Sequence, residues 1–136
     1  MPAPQQAGPF PVNILFVDPD RSGVERLVRA VPTVRATAIA ATANEAMSAI
    51  QAQMPQLVVL ELALAGTSGI ELIRYLHQQP ATQHLLIIVV TTRSSVPDKV
   101  AAFQAGADEY LVKPVDPEIF ALRVRLLMGF SRLGLH

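Results

Sequence analysis

Four short apolar runs dominate this chain, and each stops abruptly at polar residues. Val12 to Val17 ends at Asp18-Pro19-Asp20 and Leu57 to Leu60 ends at Glu61, while Leu85 to Val90 ends at Thr91-Thr92-Arg93 and Tyr110 to Val112 ends at Lys113-Pro114. Apolar runs this short, separated by stretches of helical periodicity, read as parallel strands buried on both faces. Their carboxyl ends then lie side by side along one edge of a sheet, where open α/β sheets place their sites. That edge would gather the acids Asp18 and Asp20, the carboxylate of Glu61, the hydroxyl of Thr91 and the ammonium of Lys113 in one crevice.

Helical patterns fill the intervals. Val24, Leu27, Val28 and Val31 repeat at i, i+3, i+4 and i+7, giving a first amphipathic helix that ends near Pro32. Arg35 to Ala40 follows as a weak second strand. Thr42-Ala43-Asn44-Glu45 can form a capping box, in which hydroxyl and carboxylate satisfy free amides at the start of a second helix running to about Gln53. Ser68-Gly69-Ile70-Glu71 offers the same device to a third. Ser95, with Pro97 in the first turn and Asp98 at the third position, opens a fourth helix whose apolar stripe is Val96, Val100 and Phe103. Asp116-Pro117 opens the fifth. Five strands alternating with five helices on short connections predict an α/β fold, a doubly wound five-stranded parallel sheet of the flavodoxin-like kind with right-handed crossovers. A single domain is expected over residues 12–128. The proline-rich, aperiodic residues 1–11 are expected to form a disordered lead-in, and 129–136 a tail or the start of a linker.

The order of these residues closely resembles the receiver domain of bacterial two-component response regulators, from about Val12 to Met128. The segment Ala105-Gly106-Ala107-Asp108-Glu109-Tyr110-Leu111-Val112-Lys113-Pro114 is similar to the family's fifth-strand segment. In that family an aspartate at the end of the third strand accepts a phosphoryl group, and two acids after the first strand hold a magnesium ion. The resemblance places Glu61 at the phosphoacceptor position, and Asp18 followed by Pro19 where the two acids stand. It implies that Thr91 is the hydroxyl that contacts the phosphoryl group, that Lys113 pairs with the acceptor, and that Tyr110 is the aromatic switch whose rotamer reports activation.

Each of these residues also has an ordinary structural reading. Glu61 follows a wholly apolar strand and should be at least half buried; unpaired there it would cost several kcal/mol or take up a proton, so Lys113 is its expected partner. The bland alternative is an exposed loop glutamate. Relative to aspartate its carboxylate is displaced by about one carbon–carbon bond, and attack geometry is sensitive to shifts of that size. Asp20 is either part of the acidic pocket or the N-cap of the first helix. Magnesium requires several oxygen ligands in fixed positions. Proline supplies none, so beyond a residual ligand in Asp18 no metal site is expected, and magnesium binding should be weak or absent. His77 and His84 are too isolated for a metal site, and no Gly-x-Ser-x-Gly elbow is present for a nucleophilic serine.

Composition narrows the rest. Lysine plus arginine equals aspartate plus glutamate at 11 each, which offers no direct nucleic-acid or anionic-membrane surface. There is no cysteine, hence no disulfide or thiol chemistry. No run reaches membrane-spanning length and the start lacks signal-peptide character, so a cytoplasmic protein is expected. On the fifth helix, Ile119, Leu122, Leu126 and Phe130 form one apolar stripe, and Phe120, Val124, Leu127 and Met128 form a second that a single core cannot easily cover. In receivers the fourth helix, fifth strand and fifth helix make up the output face. A protein partner, the chain's own output domain or a second copy is therefore expected to dock there. The sequence predicts a non-enzymatic, atypical receiver of the pseudo-receiver kind, a phosphorylation-independent interaction and signalling module. The alternative is a phosphorylatable receiver with an imperfect metal site. A small-molecule or nucleotide sensor is a third reading, which no Gly-rich phosphate loop after the first strand supports.

Overall fold

The structure, a computed structural model, describes residues 12–31 and 34–133. The expected lead-in over 1–11 and the last residues of the tail lie outside them. The elements alternate as β1 (Val12–Val17), α1 (Arg21–Ala30), β2 (Val34–Ala40), α2 (Ala43–Ala52), β3 (Leu57–Leu60), α3 (Gly69–Gln78), β4 (Leu86–Thr91), α4 (Val96–Ala105), β5 (Glu109–Val112) and α5 (Pro117–Leu133). The strands form one parallel sheet in the order β2-β1-β3-β4-β5. Sheet growth reverses direction after β2, so the topological switch point falls between β1 and β3. Val17 pairs in register with Leu60, and the next residues on those two strands are Asp18 and Glu61.

The unbroken apolar character of the strands follows from their two-sided burial. Leu15, Val17, Val58, Leu60, Ile87 and Val89 face a core shared with α2, α3 and α4. Ile14, Phe16, Val59, Ile88 and Val90 face a second core built with α1 and α5. Phe16 and Phe120 anchor the latter, with ring centroids 6.2 Å apart.

Helix starts follow the capping chemistry, with one correction. Ser68 and Glu71 make the full reciprocal box on α3. On α2 the Thr42 hydroxyl accepts from the Glu45 amide, but the Glu45 carboxylate accepts from the Ala41 amide at 2.8 Å instead of from that of Thr42. Ser95 caps α4.

Two apolar stripes lie differently from expectation. On α4 the core takes the small residues Ala102 and Ala105, and Val96, Val100 and Phe103 are exposed, Val96 by 69%. The face of α4 turned to the core carries the alanines, and the larger side chains lie outward. On α5 the core covers Phe120, Val124 and Met128 and half-covers Leu127, so it is Ile119, Leu122 and Leu126 that remain exposed. The helix also continues to Leu133, past the boundary expected at Met128. Among the described residues no helix is long and apolar enough to cross a membrane.

Candidate functional site

The carboxyl edge of the sheet brings Asp18, Glu61, Thr91 and Lys113 together. Asp18 and Glu61 are only 8% and 6% exposed and Thr91 is fully buried, so each needs a partner to offset lost hydration. The Glu61 amide donates to the Val17 carbonyl at 2.9 Å, which continues the β1–β3 ladder past the strand ends and fixes where the Glu61 side chain starts. On the far side, the Lys113 amide donates to the Thr91 carbonyl at 2.8 Å. From there the lysine stem reaches back across β4 and β3.

Its ammonium lies between both acids, 2.9 Å from Asp18 Oδ2 and 3.0 Å from Glu61 Oε1. The expected Glu61–Lys113 pair is therefore present, but as half of a three-membered cluster. Glu61 Oε2 accepts from the Thr91 hydroxyl and, at 3.1 Å, from the Ala63 amide. Burial pushes the Glu61 carboxyl up, yet the hydrogen bonds from Thr91, Ala63 and Lys113 outweigh it and leave it below its ordinary 4.5. Burial likewise opposes charge on Lys113, and its bonds to Asp18 and Glu61 prevail, holding it above 10.5. Glu61 and Lys113 are thus each held toward the charged form by the bonds they share.

Asp20 is not part of it. Its Oδ1 accepts from the Gly23 amide at 3.1 Å and from the Ser22 hydroxyl, capping α1, and these bonds hold its carboxyl below the usual value. Asp18 Oδ1 in turn accepts from the Asp20 amide at 2.9 Å, so Asp18 closes the turn that presents the cap. Asp20 is thus the N-cap, and its side chain also stands beside Asp18 at the sheet edge, so the two readings are compatible.

These residues do not fit a magnesium ion. All four oxygens of Asp18 and Glu61 already accept hydrogen bonds, and the space between the two carboxylates holds the Lys113 ammonium. Pro19 contributes no donor. Among the described residues, no group of three or more His, Cys, Asp or Glu side chains is arranged to hold a metal. His77 and His84 are exposed.

Tyr110 is half-buried beside the crevice. Its hydroxyl donates to the Arg93 carbonyl at 2.8 Å and its ring stands 6.3 Å from that of Phe103, which ties β5 to the β4–α4 loop. Burial raises its phenol. Sequence reasoning missed that tether, because a backbone acceptor leaves no mark on residue type. It also missed Asp18 as a second partner for Lys113. The signal was there: Asp18 and Glu61 follow what prove to be neighbouring strands at the switch point, so one cation serves both.

Comparison with known proteins agrees with this architecture. Over 86 residues the chain is 42% identical to the phosphate regulon transcriptional regulatory protein PhoB of Rhizobium meliloti, a match covering 62% of this chain and 37% of that protein. It is 37% identical over 120 residues to the response regulator MprA of Mycolicibacterium vanbaalenii, covering 88% of this chain and 51% of the other. The chain thus spans about half or less of the length of these curated relatives. Among solved structures, a CheY-like response regulator receiver domain protein from Methanospirillum hungatei superposes with a TM-score of 0.82 at 26% identity, covering 91% of this chain and 98% of that one. A LuxR-family two-component response regulator from Aurantimonas gives a TM-score of 0.78 at 30% identity, covering 88% and 86%. Residues 14–125 match the response regulator receiver domain family, and with the parallel sheet, its order and the crevice at its carboxyl edge, the chain belongs to that family.

Proposed function

We propose that this receiver domain is atypical, a cytoplasmic, non-enzymatic interaction module whose conformation is held without aspartyl phosphorylation. The observation that carries the reading is the state of Glu61, the residue at the acceptor position. Both of its oxygens accept hydrogen bonds, one of them in an ion pair with Lys113. Hydrogen bonds and an ion pair to both oxygens lower the nucleophilicity of a carboxylate. Its contacts to Thr91 and Lys113 are the ones that the family resemblance assigns to the phosphoryl group and its acceptor. Glu61 makes both by itself. The Tyr110 tether to Arg93 supports a switch held in one arrangement. With the two acids bridged by lysine, magnesium binding is weak or absent.

Output then runs through the face of α4, β5 and α5, where Val96, Val100 and Phe103 on one helix and Ile119, Leu122 and Leu126 on the other are exposed. A protein partner, an output domain of a longer chain or a second copy docks there, and no nucleic acid is bound directly. Incubation with acetyl phosphate and magnesium followed by intact-mass spectrometry tests the reading. No mass gain is expected. A stoichiometric gain of one phosphoryl group that disappears in Glu61→Gln would establish the alternative, a phosphorylatable receiver with an imperfect metal site.

A further inference from the structure

Beside the ion-paired cluster, on the α1 side of the sheet, a cavity of about 280 Å³ opens between α1, the ends of β1, β3 and β4, and the Pro114-Val115 segment. Its inner wall is Phe16, Val24, Leu27, Val59 and Val90, all buried core residues. Its mouth carries Asp18, Asp20, Arg26, Thr92 and Lys113. An apolar chamber with a few polar groups at its lip is the usual form of a small-ligand site. A cavity of about 150 Å³ lined by Leu, Ile and Phe takes up benzene, so this one has room for a phenyl or branched aliphatic group together with the atoms that bear its head.

The groups at the mouth are not equally available. Asp18 has both oxygens engaged, and Lys113 is shared between two carboxylates. That leaves Oδ2 of Asp20, which accepts no hydrogen bond among the described residues, and the Arg26 guanidinium, which acts on Asp20 by charge without a direct bond to it. Gly23 helps to keep that oxygen in place, since a Cβ there would stand 2.5 Å from Asp20 Oδ2. A carboxylate oxygen and a guanidinium that attract each other without a direct bond, at the lip of an apolar cavity, complement a zwitterion placed between them. The ammonium goes to Asp20 and the carboxylate to the planar fork of Arg26.

We propose that this cavity binds an α-amino acid with a large apolar side chain, of the phenylalanine or leucine type. A bare amine of the same shape would leave Arg26 unanswered and face Lys113. A bare acid would face Asp18 and Asp20. Because Asp18 and Lys113 line both the cavity and the crevice, occupancy bears on the ion-paired cluster whether or not Glu61 ever takes a phosphoryl group.

The test is an amide-shift titration of the isotopically labelled full chain with phenylalanine, leucine, phenethylamine and 3-phenylpropionate. Saturable shifts at Phe16, Val24, Val90 and Lys113 are expected with the amino acids, and binding about tenfold weaker for each single-headed analogue, the size typical of losing one charge-assisted bond. Asp20→Asn keeps a good helix cap and Arg26→Gln alters an exposed helical side chain, so both variants should fold. Each should weaken phenylalanine binding to the level of one analogue, while Arg26→Gln leaves phenethylamine unaffected or tighter. The proposal is overturned by shifts that are absent at millimolar ligand, equal for all four probes, or indifferent to both substitutions. None of these readouts involves phosphate, so their failure is separate from that of the phosphorylation test.

Discussion

At the scale of single residues, Lys113 is the one on which most depends. It neutralises two buried carboxylates, so removing it strands both, and breaking a buried pair from one side costs about 3–5 kcal/mol against at most about 1 for an exposed pair. The side chain is 23% exposed, which places Lys113→Met toward the lower end of that range. A clear fall in the urea midpoint is expected, and an unchanged midpoint would mean that the cluster contributes nothing. The same residues set a pH dependence. Glu61 lies below its ordinary 4.5 when folded, so its contribution to stability is complete above that value and is lost as pH falls through the depressed one. Lys113 lies above 10.5 when folded, so its contribution is complete below 10.5 and is lost as pH rises through the elevated value. In urea midpoints measured against pH neither group adds slope in between, and Glu61→Gln should make the acid limb shallower, the remainder including Asp20, which is also held below its usual value. A variant with the wild-type acid limb would assign that limb to other carboxylates.

At the scale of elements, the helices divide their apolar residues between core and surface in a way that matters for partners. Phe120, Val124 and Met128 hold α5 to the sheet, so polar substitution there should unfold the domain and reveal nothing about docking. Leu122 on α5 and Val100 on α4 are 39% and 46% exposed, and replacing them by glutamate leaves the core intact. Surface substitutions away from special features usually change stability by no more than about 0.5 kcal/mol. If the face of α4, β5 and α5 docks a second copy, light scattering should show the wild type associating and the Val100→Glu, Leu122→Glu variant monomeric with an unchanged melting temperature. A wild type that stays monomeric at high concentration would leave the face to a different protein.

At the scale of the whole molecule, the crevice is assembled by topology. Asp18, Glu61, Thr91 and Lys113 stand at the carboxyl ends of four different strands and meet because the sheet is parallel and its order reverses between β1 and β3. The scaffold for phosphoryl chemistry is therefore in place even where the chemistry is proposed to be lost. Pro19→Asp with Glu61→Asp restores an acid pair and a shorter acceptor. Together the two reversals should recover magnesium binding and phosphoryl uptake, while each alone does little, the non-additivity of groups acting as a unit. Calorimetric magnesium titration and mass spectrometry on wild type, both singles and the double variant supply the measurement. A double variant that folds normally but binds no magnesium at millimolar concentration would show that the crevice has diverged beyond these positions.

What the sequence determined by itself was whatever depends on local periodicity and short-range chemistry. Two-sided burial makes Leu57 to Leu60 and Leu86 to Val90 continuously apolar, and caps such as Ser68 and Ser95 act within one turn, so strands, helices and the sheet edge that holds the site were legible in order. The Glu61–Lys113 pair was legible too, because a buried carboxylate must find a cation. Tertiary structure alone decided the rest. Whether Val96, Val100 and Phe103 face the core depends on how closely α4 packs, which the spacing of apolar residues does not encode. The second partner of Lys113 depends on strand order, and the bond from Tyr110 to Arg93 on a carbonyl that every residue carries. The cavity beside α1 is a gap between side chains from five segments, and a gap has no sequence of its own.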